Sequence, residues 1–389
     1  MRLGYSAWGF LGDIKVENGG YVSTPDGNAT YTWSILWEAQ RRGWETFWMQ
    51  RDRDREGWEL RGSDIFRAFS GDRRLRSYLN TRQTGGEGFP ELDVIIVEWR
   101  FPIPGRNCVY VPAGPEVQYD RYLTHASWNP SVCLPGIQPD LFRQREILNH
   151  YLGTRTRVIL WDLDHKLEVE DEAAYVRTCD AIFETSFWPR EILHRRVAVE
   201  PPTCVDQLGS DYPLLRPCPQ KKLAYIGSRY ERDDVITEWL GPVSSRYPGE
   251  VMFYGNWLKS VDECRRLWPD VSYNDRVTVE DFRLVYGDAV AVPLLAKRSY
   301  LERGFVTPRV FEALAFGTLP VGLDAHSGIE RYVPQECIAE SGEHMIEVVE
   351  RLSRMSYGER VALWGKNVDM IGHMDVSHFV DEVERVASA

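Results

Sequence analysis

Short apolar runs that each stop on polar residues recur along the chain, and stretches with helical patterning separate them. The runs lie at 93–97, 157–161, 180–183, 222–226, 251–254, 288–292 and 319–322. A strand that is apolar throughout, rather than at every second residue, is covered on both faces. Strands of this kind alternating with helices specify parallel sheets sandwiched between helical layers. Residues 2–8 supply a further strand and 44–49 another. Between these two, Ala29, Trp33, Leu36 and Trp37 fall on one face of a helix, with Asn28 as the expected N-cap and Gly43 just beyond its end.

The alternation breaks once. Pro201, Pro202, Gly209, Pro213, Pro217 and Pro219 crowd one short stretch, after which the strand and helix rhythm restarts. In 389 residues, at roughly 100–200 residues per domain, this organises the chain as 1–205, a linker at 206–220, and 221–370. The last helix, 371–389, is expected to cross back to the first domain. Two doubly wound α/β domains facing across a cleft follow, with functional groups at the C-terminal ends of the strands.

Composition narrows the classes. Hydrophobic residues make up 43% and charged residues 27%, which excludes a disordered or collagenous chain. No apolar run approaches the length of a membrane span, and Met1 to Ser6 leads into a strand rather than a secretory core, so a cytoplasmic protein is expected. The seven cysteines form no CxxC, which argues against a zinc site or a disulfide framework. Histidines are dispersed, and no metal is indicated. The net charge is -12, yet only seven of the 46 basic residues are Lys and the other 39 are Arg. Nine of those Arg lie between 51 and 82 against six acids, so a local basic surface can exist on an acidic protein.

Three stretches carry candidate chemistry. Ile226-Gly227-Ser228-Arg229 is a strand end, a glycine turn and a cation, with Arg232 close behind. Backbone N–H groups at such a turn bind phosphate oxygens, and arginines add charge-assisted bonds. Thr307-Pro308-Arg309-Val310-Phe311-Glu312 opens a helix on Pro308 and places Glu312 one turn after Arg309 on the same face. That arrangement suits a diphosphate at Arg309 and a ribose at Glu312, or a plain surface ion pair. Trp161-Asp162-Leu163-Asp164-His165 ends a strand in carboxylates placed as a general base would be. Glu98, at the end of another strand, competes for that role. The dinucleotide-binding GxGxxG spacing is absent, which disfavours a nicotinamide dehydrogenase.

Taken together, these stretches resemble the glycosyltransferases of GT-B type, and residues 222–355 resemble the DNA beta-glucosyltransferases of T-even bacteriophages in particular. In that family a strand runs into Gly-Gly-Ser and arginines, a second strand ends Phe-Phe-Gly-Asn, and a helix carries Leu-Arg-Val-Trp-Glu. Here Ile226-Gly227-Ser228-Arg229, Phe253-Tyr254-Gly255-Asn256 and Pro308-Arg309-Val310-Phe311-Glu312 follow in the same order. The spore-maturation-type glycosyltransferases share the Arg-x-x-Glu helix and the Asp-Leu-Asp turn. The resemblance implies two Rossmann-like domains, with the acceptor bound by 1–205 and the nucleotide sugar by 221–370. It implies a UDP-sugar donor, UDP-glucose above all. Gly227, Ser228, Arg229, Arg232, Thr307 and Arg309 would lie at the diphosphate, Glu312 at the ribose, and Arg276-Val277 at the uracil edge. It implies inverting transfer with Asp164 as base, Asp162, two residues earlier, standing as the alternative. The acceptor it implies is a hydroxymethylated pyrimidine in duplex phage DNA, flipped into the cleft of a monomer. A protein, polysaccharide or cell-surface acceptor is the alternative.

Overall fold

The computed structural model describes residues 1–6, 16–17, 20–21, 27–49, 76–78, 89–98, 147–148, 150–163, 179–185, 196–208, 215–277 and 279–389. In chain order the first half gives β1 (Arg2–Ser6), a small hairpin of β2 (Val16–Glu17) and β3 (Gly20–Tyr21), α1 (Gly27–Arg41), β4 (Glu45–Met49), β5 (Arg76–Tyr78), β6 (Val94–Glu98), β7 (Arg157–Asp162), β8 (Ala181–Glu184) and β9 (Arg196–Ala198). Seven of these strands form one sheet in the order β5-β4-β1-β6-β7-β8-β9, and every pair in it is parallel. All five residues of β6 are buried, as a strand covered on both faces requires.

α1 shows how local signals and packing combine. It spans Gly27–Arg41, so Asn28, expected as its cap, lies inside the helix, one residue past its start. Gly43 ends it at φ +80°, a left-handed conformation that costs glycine nothing. Tyr31, Ile35, Leu36, Trp37 and Ala39 are buried against Leu3, Tyr5, Val94, Ile96, Ile159 and Trp161.

The second half begins with β10 (Lys221–Ile226), α2 (Asp233–Trp239), α3 (Gly241–Arg246), β11 (Val251–Tyr254), α4 (Val261–Leu267) and β12 (Ser272–Asn274). It continues with α5 (Val279–Gly287), β13 (Ala289–Pro293), α6 (Arg298–Glu302), α7 (Arg309–Ala315), β14 (Leu319–Leu323), β15 (Ile338–Ala339), α8 (Gly342–Arg354), α9 (Tyr357–Met370) and α10 (Val376–Ser388). Its sheet has the order β12-β11-β10-β13-β14-β15, again all parallel. Both sheets reverse winding beside their first strand, between β1 and β6 and between β10 and β13. Ligand crevices of doubly wound sheets open at such points, outside the C-terminal strand ends.

Several contacts join the halves. Val376, Phe379, Val380, Val383 and Val386 of α10 pack into the core of the first sheet, and Arg42 of the first half pairs with Asp381 and Glu384. Phe305, from the loop before α7, is buried in the same core. Beside it the Tyr31 hydroxyl donates to the Val306 carbonyl at 3.1 Å. The chain crosses between halves as a pair of adjacent segments, where Thr203 and Asp375 form a parallel bridge.

Candidate functional site

The glycine turn is built from two strand ends. The Gly227 N–H donates to the Tyr254 carbonyl at 2.9 Å, and the Trp257 indole N–H donates to the Gly227 carbonyl at 2.8 Å. Gly255 sits at φ +141°, and a Cβ on it would lie 2.2 Å from the Gly227 carbonyl oxygen. The two glycines are therefore fixed by close backbone approach. The Gly227 amide, expected at a phosphate, is spent on β11, and the residue's contribution is the space it leaves.

Arg309 fills that space. Its Nε donates to the Ile226 carbonyl at 3.0 Å, and one terminal nitrogen lies 3.4 Å from the Thr307 hydroxyl. A Cβ on Gly227 would stand 2.8 Å from Arg309 Nη2 and 2.7 Å from the Tyr225 hydroxyl. The guanidinium lies over the Tyr225 ring, 4.9 Å from its centroid. Burial acts to lower the Arg309 pKa, but Tyr225, Tyr286 and Glu312 outweigh it, and the net shift is upward. The side chain is part-buried, and among the described residues none of its hydrogen bonds goes to a carboxylate. A cation held this way beside the C-terminal strand ends of a doubly wound sheet is a site for an anion. Glu312, one turn along α7, is buried beside it.

The other expected residues divide. Arg229 is held by Asp233 and by Glu263, the latter at 2.7 Å, and lies over Trp268. Its expected place at a diphosphate is thus occupied in this structure by two carboxylate contacts, which push its pKa upward. Arg232 turns back to the carbonyls of Ser228 and Tyr230, with the Ser228 hydroxyl 3.4 Å away. Arg276 donates to the Asn256 side chain at 2.6 Å, which sets the 276–277 segment next to the glycine turn. Val277 packs beside Phe282 and Tyr286.

On the facing sheet, Glu98 ends β6 fully buried. It accepts hydrogen bonds from the hydroxyls of Tyr5 at 2.6 Å and Thr32 at 3.3 Å. A carboxylate enclosed in this way braces β1, β6 and α1, and it is poorly placed to take a proton from a substrate. Asp162 ends β7, is also fully buried, and lies in register with Glu184, which pairs with Arg196 at 2.6 Å. Asp164 lies outside the described residues, as do most of the 51–82 arginines. Among the described residues no group of three or more His, Cys, Asp or Glu is gathered as a metal site, and no helix is long and apolar enough to cross a membrane.

Three participants went unread in the sequence. Tyr31 links α1 to the loop that carries Thr307. Tyr286 is fully buried near Arg309, and burial first, then Glu312, raises its pKa well above the ordinary value. Tyr225 did carry a signal, since it stands two residues before Gly227 and side chains at i and i+2 share a strand face.

Two parallel sheets with this strand order define an α/β fold of GT-B type. No family model and no curated sequence matches the chain. Solved structures match over its whole length. T4 phage beta-glucosyltransferase in complex with UDP and Mn2+ superposes with a TM-score of 0.58 at 10% identity, covering 100% of both chains. An alpha-glucosyltransferase in complex with UDP and a 13-mer DNA containing a central A:G mismatch superposes with a TM-score of 0.56 at 13% identity, covering 100% of this chain and 99% of the other. A glycosyltransferase from Rickettsia africae superposes with a TM-score of 0.54 at 8% identity, covering 99% and 97%.

Proposed function

We propose that this protein is a nucleotide-sugar-dependent glycosyltransferase that uses a UDP-sugar, with UDP-glucose as the favoured donor. The observation that carries the reading is Arg309, a cation without a carboxylate hydrogen-bond partner among the described residues, beside a glycine turn at the switch point of a GT-B sheet. In this reading Arg309 holds the donor diphosphate, with Ser228 and the turn beyond Gly227. Arg232 is the further cation at the turn, and Arg229 can join it only by leaving Asp233 and Glu263. Glu312 accepts the ribose hydroxyls, and the backbone at Arg276-Val277 reads the uracil edge.

Transfer then proceeds with inversion. Asp164 takes the proton of an acceptor hydroxyl, the oxygen attacks C1 from the face opposite the diphosphate, and the C1–O bond to UDP breaks. Arg309 stabilises the charge that grows on the departing phosphate. Phe305 and the bond from Tyr31 to Val306 tie the two halves together just before α7, and closing of the cleft over the donor would keep water from it.

The acceptor we favour is a hydroxymethylated pyrimidine in duplex DNA, flipped out of the stack. Support comes from the fold shared with DNA-modifying glucosyltransferases and from the arginines of 51–82. The net charge of -12 favours a second reading, in which the same donor site serves a protein or polysaccharide acceptor. Incubation with labelled UDP-glucose and duplex DNA, with or without 5-hydroxymethylcytosine, separates them. Label on the modified duplex alone is expected. Hydrolysis or transfer to other acceptors, with no labelled DNA, ends the DNA reading.

A further inference from the structure

We propose that the Tyr225 hydroxyl is a ligand of the donor diphosphate, a role that rests on the glycosyltransferase reading above. Tyr225 is fully buried next to the last residue of β10, and among the described residues its hydroxyl has no hydrogen-bond partner. Buried hydroxyls are almost always paired, so one left open at a crevice calls for an explanation. Packing does not force it there by accident. Phe253 and Trp257 hold the ring in edge contacts at 5.6 and 6.1 Å between centroids, and the Arg309 guanidinium lies over its face. The hydroxyl oxygen and Arg309 Nη2 both lie against Gly227, where a Cβ would come within 2.7 Å of the first and 2.8 Å of the second. Hydroxyl and guanidinium thus stand side by side against the glycine turn, and a side chain on Gly227 would displace one of them.

Two neighbouring donors at one turn suit an anion with several oxygens. Arg309 brings charge, and the phenol brings a neutral O–H that donates to a second non-bridging oxygen of the same diphosphate. A phosphate seated at the turn would pair this hydroxyl. Uridine, which lacks phosphate, gains nothing from it.

Binding of UDP and of uridine to the intact chain, parent and Tyr225→Phe, tests this. Phe keeps the ring contacts with Phe253 and Trp257, so the variant folds, and its melting temperature without ligand is expected to match or exceed that of the parent. The expected result is about a tenfold rise in the Kd for UDP, equivalent to about 1.4 kcal/mol, with uridine binding unchanged. Equal UDP affinity in parent and variant overturns the role of the hydroxyl, as does an equal loss for UDP and uridine, which marks a general loosening of the site. Arg309→Ala separates the two levels. If it weakens UDP while Tyr225→Phe does not, the donor site stands and the hydroxyl is excluded. If UDP does not bind the parent, the glycosyltransferase reading falls and takes this role with it.

Discussion

Gly227→Ala places one methyl group into the point where Arg309 and Tyr225 meet. The new carbon would stand 2.7 Å from the Tyr225 hydroxyl, 2.8 Å from its ring Cζ and 2.8 Å from Arg309 Nη2. Ordinary contacts begin near 3.4 Å, so something shifts by more than half an ångström. The Tyr225 ring is wedged by Phe253 and Trp257 and cannot retreat cheaply. The terminal guanidinium of Arg309 is the part that gives way. Overpacking of this kind costs about 1–3 kcal/mol when the surroundings resist and less when a flexible end yields. Losing one charge-assisted hydrogen bond costs about 1.5–3 kcal/mol, which is about 10- to 150-fold in UDP affinity at 1.4 kcal/mol per decade. Expected, then, is a small drop in melting temperature and a large drop in the stabilisation that UDP confers, read by thermal shift across a UDP titration. Gly255→Ala is the contrast. Its Cβ would meet the backbone carbonyl of Gly227 at 2.2 Å in a conformation that alanine avoids, so stability itself falls steeply. If Gly227→Ala binds UDP as the parent does, the space beside Gly227 does not serve the donor.

Arg309→Ala is expected to lower kcat and raise the donor KM together, because Arg309 opposes charge that grows in the transition state. Glu312→Ala, at a non-reacting ribose, should act mainly on KM; steady-state kinetics over donor concentration checks both. Asp164→Asn should retain UDP binding and lose about 10²–10⁴ in transfer rate, while Asp162→Asn and Glu98→Gln alter folding stability more than chemistry; transfer by Asp162→Asn alone being abolished would move the base. His326 is 4% exposed, and burial lowers its pKa to about 4 from an ordinary 6.5. The unfolded chain therefore binds a proton that the native state refuses, and stability present above pH 6.5 is lost as pH falls toward 4. The window is worth up to about 3 kcal/mol. Denaturant melts from pH 7.5 to 4 should show that slope, and His326→Leu should flatten it.

Much of the fold was legible because both sheets are buried on both faces. Runs such as Val94 to Val97 and Val158 to Trp161 carry no polar residue, and only a covered parallel strand tolerates that. Gly43 was visible as a helix end because glycine takes its left-handed backbone angles without cost. The order of motifs pointed to a glycine turn and an Arg-x-x-Glu helix in one domain. What each residue does there was settled by partners far away in the chain. Glu98 and Asp162 read alike as strand-end carboxylates, yet Tyr5, 93 residues from Glu98, encloses it. Arg229 and Arg309 read alike as phosphate ligands, yet Glu263 reaches the first, while the second meets Ile226 across 83 residues and stays without a carboxylate hydrogen bond among the described residues. Phe305 belongs by sequence to the second half and by packing to the first core. Local patterning is a property of neighbouring residues and survives in sequence. The availability of a charge depends on which opposite charge or hydroxyl the folded chain brings within about 3 Å, and only the tertiary structure decides that.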